Sequence, residues 1–339
     1  MRSRDRAPLD LDLLQSRSFD CARRAIARHT ATAAQASLLR LPLDGLERDL
    51  AAAGDRPAPL GSVRLPLLVY ACFRDDVERA LPLAAACTLL YLGVDLLDAL
   101  MDGDPLPHWE GHQPGLIHMA AATMVAALPQ RILAGLEAPP TVVASIVAAL
   151  SDGLMGMSAG QQMDLAGSAA GEWPSVASVS ESVTLKTGEM LAMFATMAGH
   201  LAGAPTTAVA DLKEMGRAWG LASELTADVR DLFASTGKDF ASGAKTLPLV
   251  LHMEGLKDGS DLRFLWLLEK ARDDERAREL IRKEIVEAGV LHQCAIVSAL
   301  SCQQARGAID RTGPREPAAS ILRAMIEAAS LSGGGGDQP

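Results

Sequence analysis

Apolar residues recur at the spacing of an α-helix along almost the whole chain, and this periodicity limits the possible folds more than any other feature. Alanine, leucine and methionine dominate the periodic stretches, whereas alternating Val/Ile/Thr segments bounded by turn residues are missing. Segments rich in proline and glycine separate long helical blocks, for example at residues 54–61, 102–115 and 311–317. Because 49% of the residues are hydrophobic, these helices can bury a sizeable core. The sequence therefore predicts an all-α protein.

A length of 339 residues fits either one large domain or two ordinary ones. The chain shows no internal repeat in the range of about 20–50 residues, and no linker is long enough to separate two cores. We therefore predict a single-domain helical bundle over residues 16–331. Residues 1–15 are highly charged and residues 332–339 have the composition of a flexible linker, so both ends are predicted to be flexible.

The charge balance argues against several classes of partner. The chain has 42 acidic and 32 basic residues, a net charge of −10, whereas nucleic acids and anionic membranes bind basic surfaces. No apolar run approaches the roughly 18 uninterrupted residues of a membrane span, so no integral membrane segment is expected. The five cysteines are scattered, and the N-terminus lacks the apolar segment of a secretion signal. We therefore expect a cytoplasmic protein.

The first acidic cluster lies in VDLLDALMDGD, residues 94–104. Helical spacing places Asp98 and Asp102 on one face, with Asp95 one turn earlier. Three carboxylates on one stripe repel each other unless water or a cation neutralises them. The alternative is a solvated helix end that runs into the polar loop GDPLPH.

The second acidic cluster lies in SELTADVRDLF, residues 223–233. Glu224, Asp228 and Asp231 share one helical face, and the apolar residues around them indicate partial burial. The alternative is an ordinary solvated face. Two such stripes facing a common cavity would form an oxygen-rich site for Mg²⁺, which takes one or two carboxylates together with substrate phosphates and water.

Basic and polar residues accompany these clusters. Lys186, Lys238 and Lys245 have Gly and Thr neighbours, and lysine binds phosphate oxygens as a point charge. Taken singly, each lysine is more often an ordinary surface residue. Gln161 and Asp164 share a helical face in GQQMDLAG, where the alternative is a buried polar pair bonded to a neighbouring helix.

In this order, the segments resemble the trans-isoprenyl diphosphate synthase (polyprenyl synthetase) family over roughly residues 55–330. The matching segments are DALMD (98–102) at the first aspartate-rich motif DDxxD, GQQMD (160–164) at GQxxD, KTGEMLAMFA (186–195) at the KT helix, SELTADVRD (223–231) at FQxxDDxxD, and GKDFASGAKTLP (237–248) at its lysine–threonine–proline sequel.

The resemblance implies a helical bundle around a deep apolar cavity, usually a homodimer, with three Mg²⁺ ions holding a prenyl diphosphate between two acidic helices. It assigns metal ligation to Asp98, Asp102, Asp228 and Asp231. It assigns roles at the reacting diphosphate to Gln161, Asp164, Lys186, Thr187, Lys238 and Lys245.

The chain departs from the family pattern within both aspartate motifs. Ala99 replaces the second aspartate of the first motif, and Ala227 replaces the first aspartate of the second. Glu224 stands where the family has glutamine, one turn from Asp228, and we take it as a hypothetical replacement ligand.

The expected site for the second substrate, isopentenyl diphosphate, is more strongly altered. The family's GKRxRP is here GSVRLP (61–66), which leaves Arg64 as its one cation, and Tyr91 stands where a histidine is expected. The paired arginines expected after the first motif are absent near Pro107 and His108. Because a diphosphate needs such donors, the sequence argues against chain elongation.

Our leading sequence-based hypothesis is therefore a class I terpene synthase, in which a prenyl diphosphate ionises and the cation cyclises or loses a proton. Tyr91, Phe194 and Trp219 are candidates to face the cation, although each aromatic side chain is more often simply core. Gly93 and Val94, one turn before Asp98, are small. In the family, bulk there shortens the product, so a substrate of C15–C20 or longer is expected.

Two alternatives stay open. One is an isoprenyl diphosphate synthase or other prenyltransferase with an altered co-substrate site. The other is a non-catalytic subunit that regulates a partner synthase, which both incomplete aspartate motifs favour and the surviving acids oppose.

Overall fold

The structure, a computed structural model, describes residues 9–53, 61–104, 106–169, 173–256 and 261–331. The predicted flexible tail 332–339 and residues 1–8 of the predicted flexible N-terminus lie outside the described residues. Of the described residues, 83% are helical, and none of them forms a β-strand. The all-α prediction is confirmed.

The described ranges contain sixteen α-helices, numbered here in chain order: α1 (Leu11–His29), α2 (Ala33–Ala53), α3 (Gly61–Ala71), α4 (Leu81–Asp102), α5 (Pro114–Ala122), α6 (Leu128–Leu133), α7 (Pro140–Ala169), α8 (Val176–Val183), α9 (Glu189–Ala202), α10 (Thr206–Phe233), α11 (Lys238–Ser242), α12 (Leu247–Gly255), α13 (Asp261–Ala271), α14 (Glu275–Glu287), α15 (Val290–Arg311) and α16 (Ala318–Ala328). Two π-helical turns, Thr123–Ala127 and Thr184–Gly188, and two 3₁₀ turns, Val77–Ala80 and Pro107–Trp109, complete the set.

Helix α1 already begins at Leu11, inside the segment that the sequence predicts to be flexible. The Asp10 side chain accepts a hydrogen bond from the backbone N–H of Leu13, 2.9 Å away. A capped first turn of this kind stabilises the start of a helix, since it satisfies an N–H that lacks an intrahelical partner.

The chain divides into two compact units, each assembled from three separate segments. Unit 1 consists of Met1–Leu150, Phe194–Val209 and Pro314–Leu322, and unit 2 consists of Ser151–Met193, Ala210–Gly313 and Arg323–Pro339.

Unit 1 is organised around α4, which packs against α1, α3, α5 and α6. Most residues of α4 from Leu81 to Leu96 are buried. The helix ends at Gly103, whose φ of 73° is accessible to glycine at little cost, and whose N–H donates to the carbonyl of Ala99. This stop places Asp98 and Asp102 in the last turn and a half of the helix.

The core of unit 2 is formed by the C-terminal end of α10 together with α11 to α15. Leu225, Leu232, Phe240, Phe264 and Ile281 belong to one buried cluster. Burial of such side chains contributes about 1.5–3 kcal/mol each. The second acidic stripe lies on α10 next to this cluster, so its carboxylates stand on a well-packed helix.

Three helical stretches are long and apolar enough to cross a membrane, judged by length and composition alone: Val77–Asp102, Pro114–Leu133 and Pro140–Ala166. The bent pair α14–α15 would be a fourth if it counted as one span. The apolar window of Val77–Asp102 is 72% buried within the protein, whereas that of Pro140–Ala166 is 22% buried. The expectation of no membrane segment rested on uninterrupted apolar runs, and it stays a prediction.

Candidate active site

Three helical elements of unit 2 approach each other so closely that they require glycine. A Cβ added to Gly160 of α7 would lie 2.5 Å from the backbone nitrogen of Lys186, and one added to Gly220 of α10 would lie 2.4 Å from Cα of Gly188. Both distances are too short for real side chains in a packed interior. Lys186 and Thr187 belong to the π-helical turn at this contact, and such turns are frequent at functional sites.

The close contact brings together the polar residues of GQxxD and KT. The Lys186 ammonium lies 3.4 Å from Oδ2 of Asp164, and the Ser182 hydroxyl donates to the Gly160 carbonyl at 2.9 Å. The side-chain nitrogen Nε2 of Gln161 is buried and has no hydrogen-bond partner in the described residues. A buried amide without a partner costs about 1–3 kcal/mol, so this donor is poised for a ligand atom.

Thr187 orients the residue that replaces the family's glutamine. Its hydroxyl donates to Oε2 of Glu224 across 2.9 Å. The structure thus brings the KT turn and the second acidic stripe into direct contact, which the sequence motifs did not predict residue by residue.

Asp228 is the most strongly perturbed carboxylate of the stripe. Burial, followed by the negative charges of Glu224 and Asp239, raises its pKa well above the ordinary value. The backbone N–H of Leu247, the first residue of α12, donates to Asp228 Oδ2 at 3.2 Å and opposes this rise. Burial and the neighbouring carboxylates therefore outweigh this hydrogen bond.

Asp239 is a further acid of this cluster that sequence reasoning missed. Its backbone N–H donates to Asp231 Oδ2 at 3.0 Å, and burial together with the charge of Asp231 raises the pKa of the Asp239 carboxyl to about 7. The signal was available in the sequence, because Asp239 directly follows Lys238 in GKDF.

The donor set fits Mg²⁺. Glu224, Asp228, Asp231 and Asp239 supply hard oxygen atoms, and a nearby cation would counter the burial and the neighbouring carboxylates that raise the pKa values of Asp228 and Asp239. Across the described ranges, no three or more His, Cys, Asp or Glu side chains are grouped so that they could hold a metal ion. Metal ligation by Glu224, Asp228 and Asp231 stays a prediction.

The two other lysines differ in environment. Lys238 is exposed at the start of α11, whereas Lys245 is partly buried and its Nζ lies 5.5 Å from the centre of the Trp173 ring. Burial lowers the pKa of Lys245. With Trp173 and Asp239, Lys245 lines a cavity of about 190 Å³. Trp173 is the second residue of this region that the sequence interpretation did not single out.

In unit 1, the first acidic stripe lies at the C-terminal end of α4. Asp98 is partly buried, whereas Asp95 and Asp102 are exposed. The C-terminal end of a helix carries partial negative charge, so carboxylates there are unfavourable unless water or a cation compensates them. This placement is compatible with both the metal-site hypothesis and the solvated alternative.

The cation expected for the second substrate is already paired. Arg64 donates from Nε to Oε1 of Gln15 at 2.6 Å, and its Nη2 forms an ion pair with Asp12. The structure therefore ties Arg64 to α1, a contact across about fifty residues that the sequence prediction of a substrate-binding role did not include. Tyr91 is partly buried, and desolvation together with Asp95 raises its pKa to about 12, so its hydroxyl is neutral.

The other aromatic candidates lie in the interior. Phe194 is fully buried in unit 1, and Trp219 is 3% exposed in unit 2. Their predicted contact with a carbocation is not tested by these positions.

The space beside Gly93 is filled rather than open. A Cβ at this position would lie 2.9 Å from both Met124 Cβ and Val125 Cγ2 of the first π-helical turn. The small size of Gly93 therefore admits a neighbouring helix. It does not by itself provide room for a long substrate, which was the basis of the C15–C20 estimate.

Sequence comparisons identify the family. The model of the polyprenyl synthetase family matches residues 64–285. The short chain isoprenyl diphosphate synthase of Methanocaldococcus jannaschii is 25% identical over 232 residues, which cover 64% of this chain and 69% of that protein.

Two solved structures share the fold. The polyprenyl synthetase of Streptomyces coelicolor has a TM-score of 0.78 at 20% identity, with 95% of this chain and all of that chain covered. The polyprenyl synthase of Caulobacter crescentus, solved with calcium and isoprenyl diphosphate, has a TM-score of 0.71 at 20% identity, with 96% and 98% covered.

The chain belongs to the polyprenyl synthetase family. The predicted resemblance is confirmed, as is the prediction of an enzyme of isoprenoid biosynthesis, since the members of this family are prenyltransferases. Terpene synthase activity, our leading sequence-based hypothesis, gains no specific support, and the comparisons favour the prenyltransferase alternative.

Proposed function

We propose that the protein is a prenyltransferase that ionises a metal-bound prenyl diphosphate and has an altered co-substrate site. The observation that carries this proposal is the unit 2 cluster in which the Thr187 hydroxyl binds Glu224 of the acidic stripe, while the adjacent Lys186 pairs with Asp164 and the Gln161 amide is buried without a partner in the described residues. Mg²⁺ dependence, which is general in the family, is part of the proposal, as is the expected number of three ions.

The chain's own residues have separable tasks in this proposal. Asp98, Asp102, Asp228 and Asp231 would hold Mg²⁺, and Glu224 and Asp239 would replace the oxygen lost at Ala227. Bound Mg²⁺ would neutralise the diphosphate and stabilise its developing charge as a leaving group. Lys186, Lys238 and Lys245 would bind diphosphate oxygens, while the Gln161 amide would donate to one of them.

The reaction balances without a further reagent. The bond between C1 and the diphosphate oxygen breaks, and its electron pair leaves with diphosphate. An electron pair of the acceptor forms the new bond to C1, and the acceptor then loses a proton. Bound diphosphate or water would take up that proton.

The residues of unit 1 argue against isopentenyl diphosphate as the acceptor. Arg64 is engaged with Asp12 and Gln15, and the neutral Tyr91 hydroxyl stands where the family has a histidine. We therefore expect an acceptor without a diphosphate group, or one bound by other residues.

A second candidate function is the class I terpene synthase, and the pairing of Arg64 is the observation that favours it. If no acceptor is bound, the cation reacts with its own double bonds or loses a proton. Tyr91, Phe194 and Trp219 are then the candidates to face the cation.

Product length is governed by Met124 and Val125 in this proposal, because these side chains fill the position beside Gly93. The substrate length of C15–C20 or longer therefore depends on the side chains of the first π-helical turn. A homodimer, which the family resemblance implies, is also proposed. We expect the dimer to be cytoplasmic.

Purified protein incubated with Mg²⁺ and single allylic diphosphates of C5 to C20 tests these functions, either alone, with labelled isopentenyl diphosphate, or with an aromatic acceptor that carries no diphosphate. Release of diphosphate that depends on an added acceptor supports prenyl transfer. Hydrocarbon or alcohol formed from the allylic diphosphate alone supports the terpene synthase. Label in longer chains would show that the altered site still accepts isopentenyl diphosphate. If diphosphate is never released, and an Asp98→Ala protein still modulates a partner synthase, the regulatory-subunit hypothesis replaces both.

A further inference from the structure

Unit 1 contains a cleft of about 310 Å³ that the proposed reaction does not use. It lies at the start of α4, between the end of α3, the first turn of α7 and the end of α9. Its lining includes Tyr70, Arg74, Asp76, Arg79 and His200. Its volume is at the lower end of the range of small-molecule sites.

One guanidinium group in the cleft is held in place without a charged partner. Arg74 donates from Nε to the Ala202 carbonyl at 2.7 Å, and its side chain makes no other hydrogen bond or ion pair within the described ranges. Gly203, with φ of 70°, allows this position, since a Cβ there would lie 3.0 Å from Arg74 Nη2. The Nη groups of Arg74 thus keep donors for a ligand.

The other charges of the cleft offset one another. Asp76 accepts a hydrogen bond from the Tyr70 hydroxyl at 3.1 Å and lies 3.5 Å from Nη1 of Arg79. Arg79 also donates from Nη2 to the Glu137 carbonyl at 2.9 Å. Burial lowers the pKa of His200, so its imidazole is neutral at pH 7. Arg74 therefore leaves the cleft with a positive charge in excess, in a protein whose net charge is −10.

The remainder of the lining is apolar. Ala138, Pro139, Val142 and Leu201 form this part of the wall. A ligand that matches both parts has one anionic group for the guanidinium and a small apolar body for the wall, because planar guanidinium groups bind phosphate and carboxylate oxygens in pairs.

The cleft is separate from the acidic stripe of the same unit. The 3₁₀ turn that carries Arg79 leads directly into α4 at Leu81, and Asp98 lies seventeen residues further along that helix. At a rise of about 1.5 Å per residue, the two ends are about 25 Å apart. The unused cleft therefore cannot be an extension of the diphosphate site at Asp98.

We propose that this cleft is a second ligand site that binds a small anion with an apolar body, a phosphate monoester or a carboxylate. The Arg74 guanidinium holds the anionic group, and Val142 and Leu201 contact the body.

Isothermal titration calorimetry on the full chain, in EDTA to remove divalent cations, tests the site with three probes: 3-methylbutyl phosphate, 3-methylbutanoate and inorganic phosphate. The expected order of affinity places at least one branched probe above inorganic phosphate, and the two branched probes tell phosphate from carboxylate. Arg74→Gln should weaken binding about tenfold or more, since a charged hydrogen bond is lost. Arg40→Gln, an exposed arginine beside Asp44 in the same unit, is the matched control and should bind normally.

Two further variants keep the test independent of the folding of Arg74→Gln. Val142→Phe should block the apolar part without changing charge. Asp76→Asn should strengthen binding several-fold, because it removes a negative charge and keeps an acceptor for Tyr70. Absence of binding by the wild-type protein, equal affinity of the wild-type, Arg74→Gln and Val142→Phe proteins, or loss of binding in Asp228→Asn instead would each overturn the proposal.

Discussion

The acidic region of α10 in unit 2 and the co-substrate region of unit 1 carry different amounts of the family's chemistry. In unit 2, Asp228, Thr187 and Lys186 lie on helical elements whose close contact glycines permit. Asp228 has two further carboxylates nearby, Glu224 and Asp239, which are candidates to replace the one lost at Ala227. In unit 1, Arg64 is paired with residues of α1, and no compensating cation is visible in the GSVRLP segment. The difference teaches that not every departure from a motif has the same consequence. A lost carboxylate is replaceable where other carboxylates lie nearby, as in unit 2. A lost cation is not replaceable where the remaining arginine already binds other residues, as in unit 1.

The largest expected effect is that of Asp228→Asn on activity. Loss of this carboxylate should lower kcat/KM for diphosphate release by about a thousandfold, since electrostatic stabilisation of the leaving group is a major contribution. In EDTA the variant should unfold at a higher temperature than the wild-type protein. The reason is that folding raises the pKa of Asp228 above its value of 3.8 in the unfolded chain. At a pH above 3.8 the carboxyl ionises more readily in the unfolded chain, which destabilises the folded protein.

Thermal unfolding of both proteins at pH 5 and pH 8 measures this difference in unfolding temperature. The advantage of Asp228→Asn should grow as the pH rises, and it should shrink when Mg²⁺ and pyrophosphate are added, because these stabilise the wild-type protein alone. Asp152→Asn, an exposed acid on α7, is the control and should leave both the melts and the activity unchanged. A fully active Asp228→Asn enzyme would show that the acidic stripe of unit 2 does not carry the reaction.

Gly220→Ala should be the next largest effect. Its methyl group would lie 2.4 Å from Cα of Gly188, and because backbone cannot move aside cheaply we expect a loss of about 3 kcal/mol in the free energy of unfolding. Urea denaturation measures it. Gly255→Ala, whose Cβ would have no neighbour within 4 Å, should unfold within about 0.5 kcal/mol of the wild-type protein. Equal stability of the two variants would contradict the close contact of α10 with the KT turn.

A smaller effect is expected for Thr187→Val. This change removes the hydrogen bond to Glu224 and keeps the shape of the side chain, so kcat should fall about tenfold. Thr184→Val is the matched control, because Thr184 lies on the same π-helical turn but its hydroxyl bonds the Ser180 carbonyl. If both variants lose the same activity, the role assigned to the Thr187–Glu224 contact is wrong.

The smallest effect is expected for Arg64→Gln. Since its guanidinium is engaged by Asp12 and Gln15, kcat/KM for the allylic diphosphate and for any acceptor should change by about twofold or less, within the range of a partly exposed ion pair. Steady-state kinetics measure this change, and the Lys186→Gln variant, measured in parallel, shows how large the loss is when a predicted diphosphate ligand is removed. A loss for Arg64→Gln as large as that for Lys186→Gln would show that the co-substrate region of unit 1 is functional after all.

Much of this protein was predictable from local sequence. Helical periodicity predicted the all-α fold, and the ordered segments DALMD, GQQMD, KTGEM, SELTADVRD and GKDFASGAKTLP predicted the family. The interpretation failed to include Asp239 and Trp173, and it took the missing co-substrate cations as grounds for a terpene synthase, which the comparisons do not favour. It also took the small size of Gly93 as room for substrate, whereas Met124 and Val125 occupy that position.

The sequence by itself determined the class of fold, the family and which carboxylates and lysines are candidates for chemistry, because periodicity and motif order are properties of neighbouring residues along the chain. Tertiary structure alone decided which residues become partners: Arg64 with Asp12, Thr187 with Glu224, and Arg74 with the Ala202 carbonyl. These pairs are far apart along the chain. Their contacts depend on how helices pack, so the same arginine can be a substrate ligand or a link between helices according to which neighbour the fold brings to it.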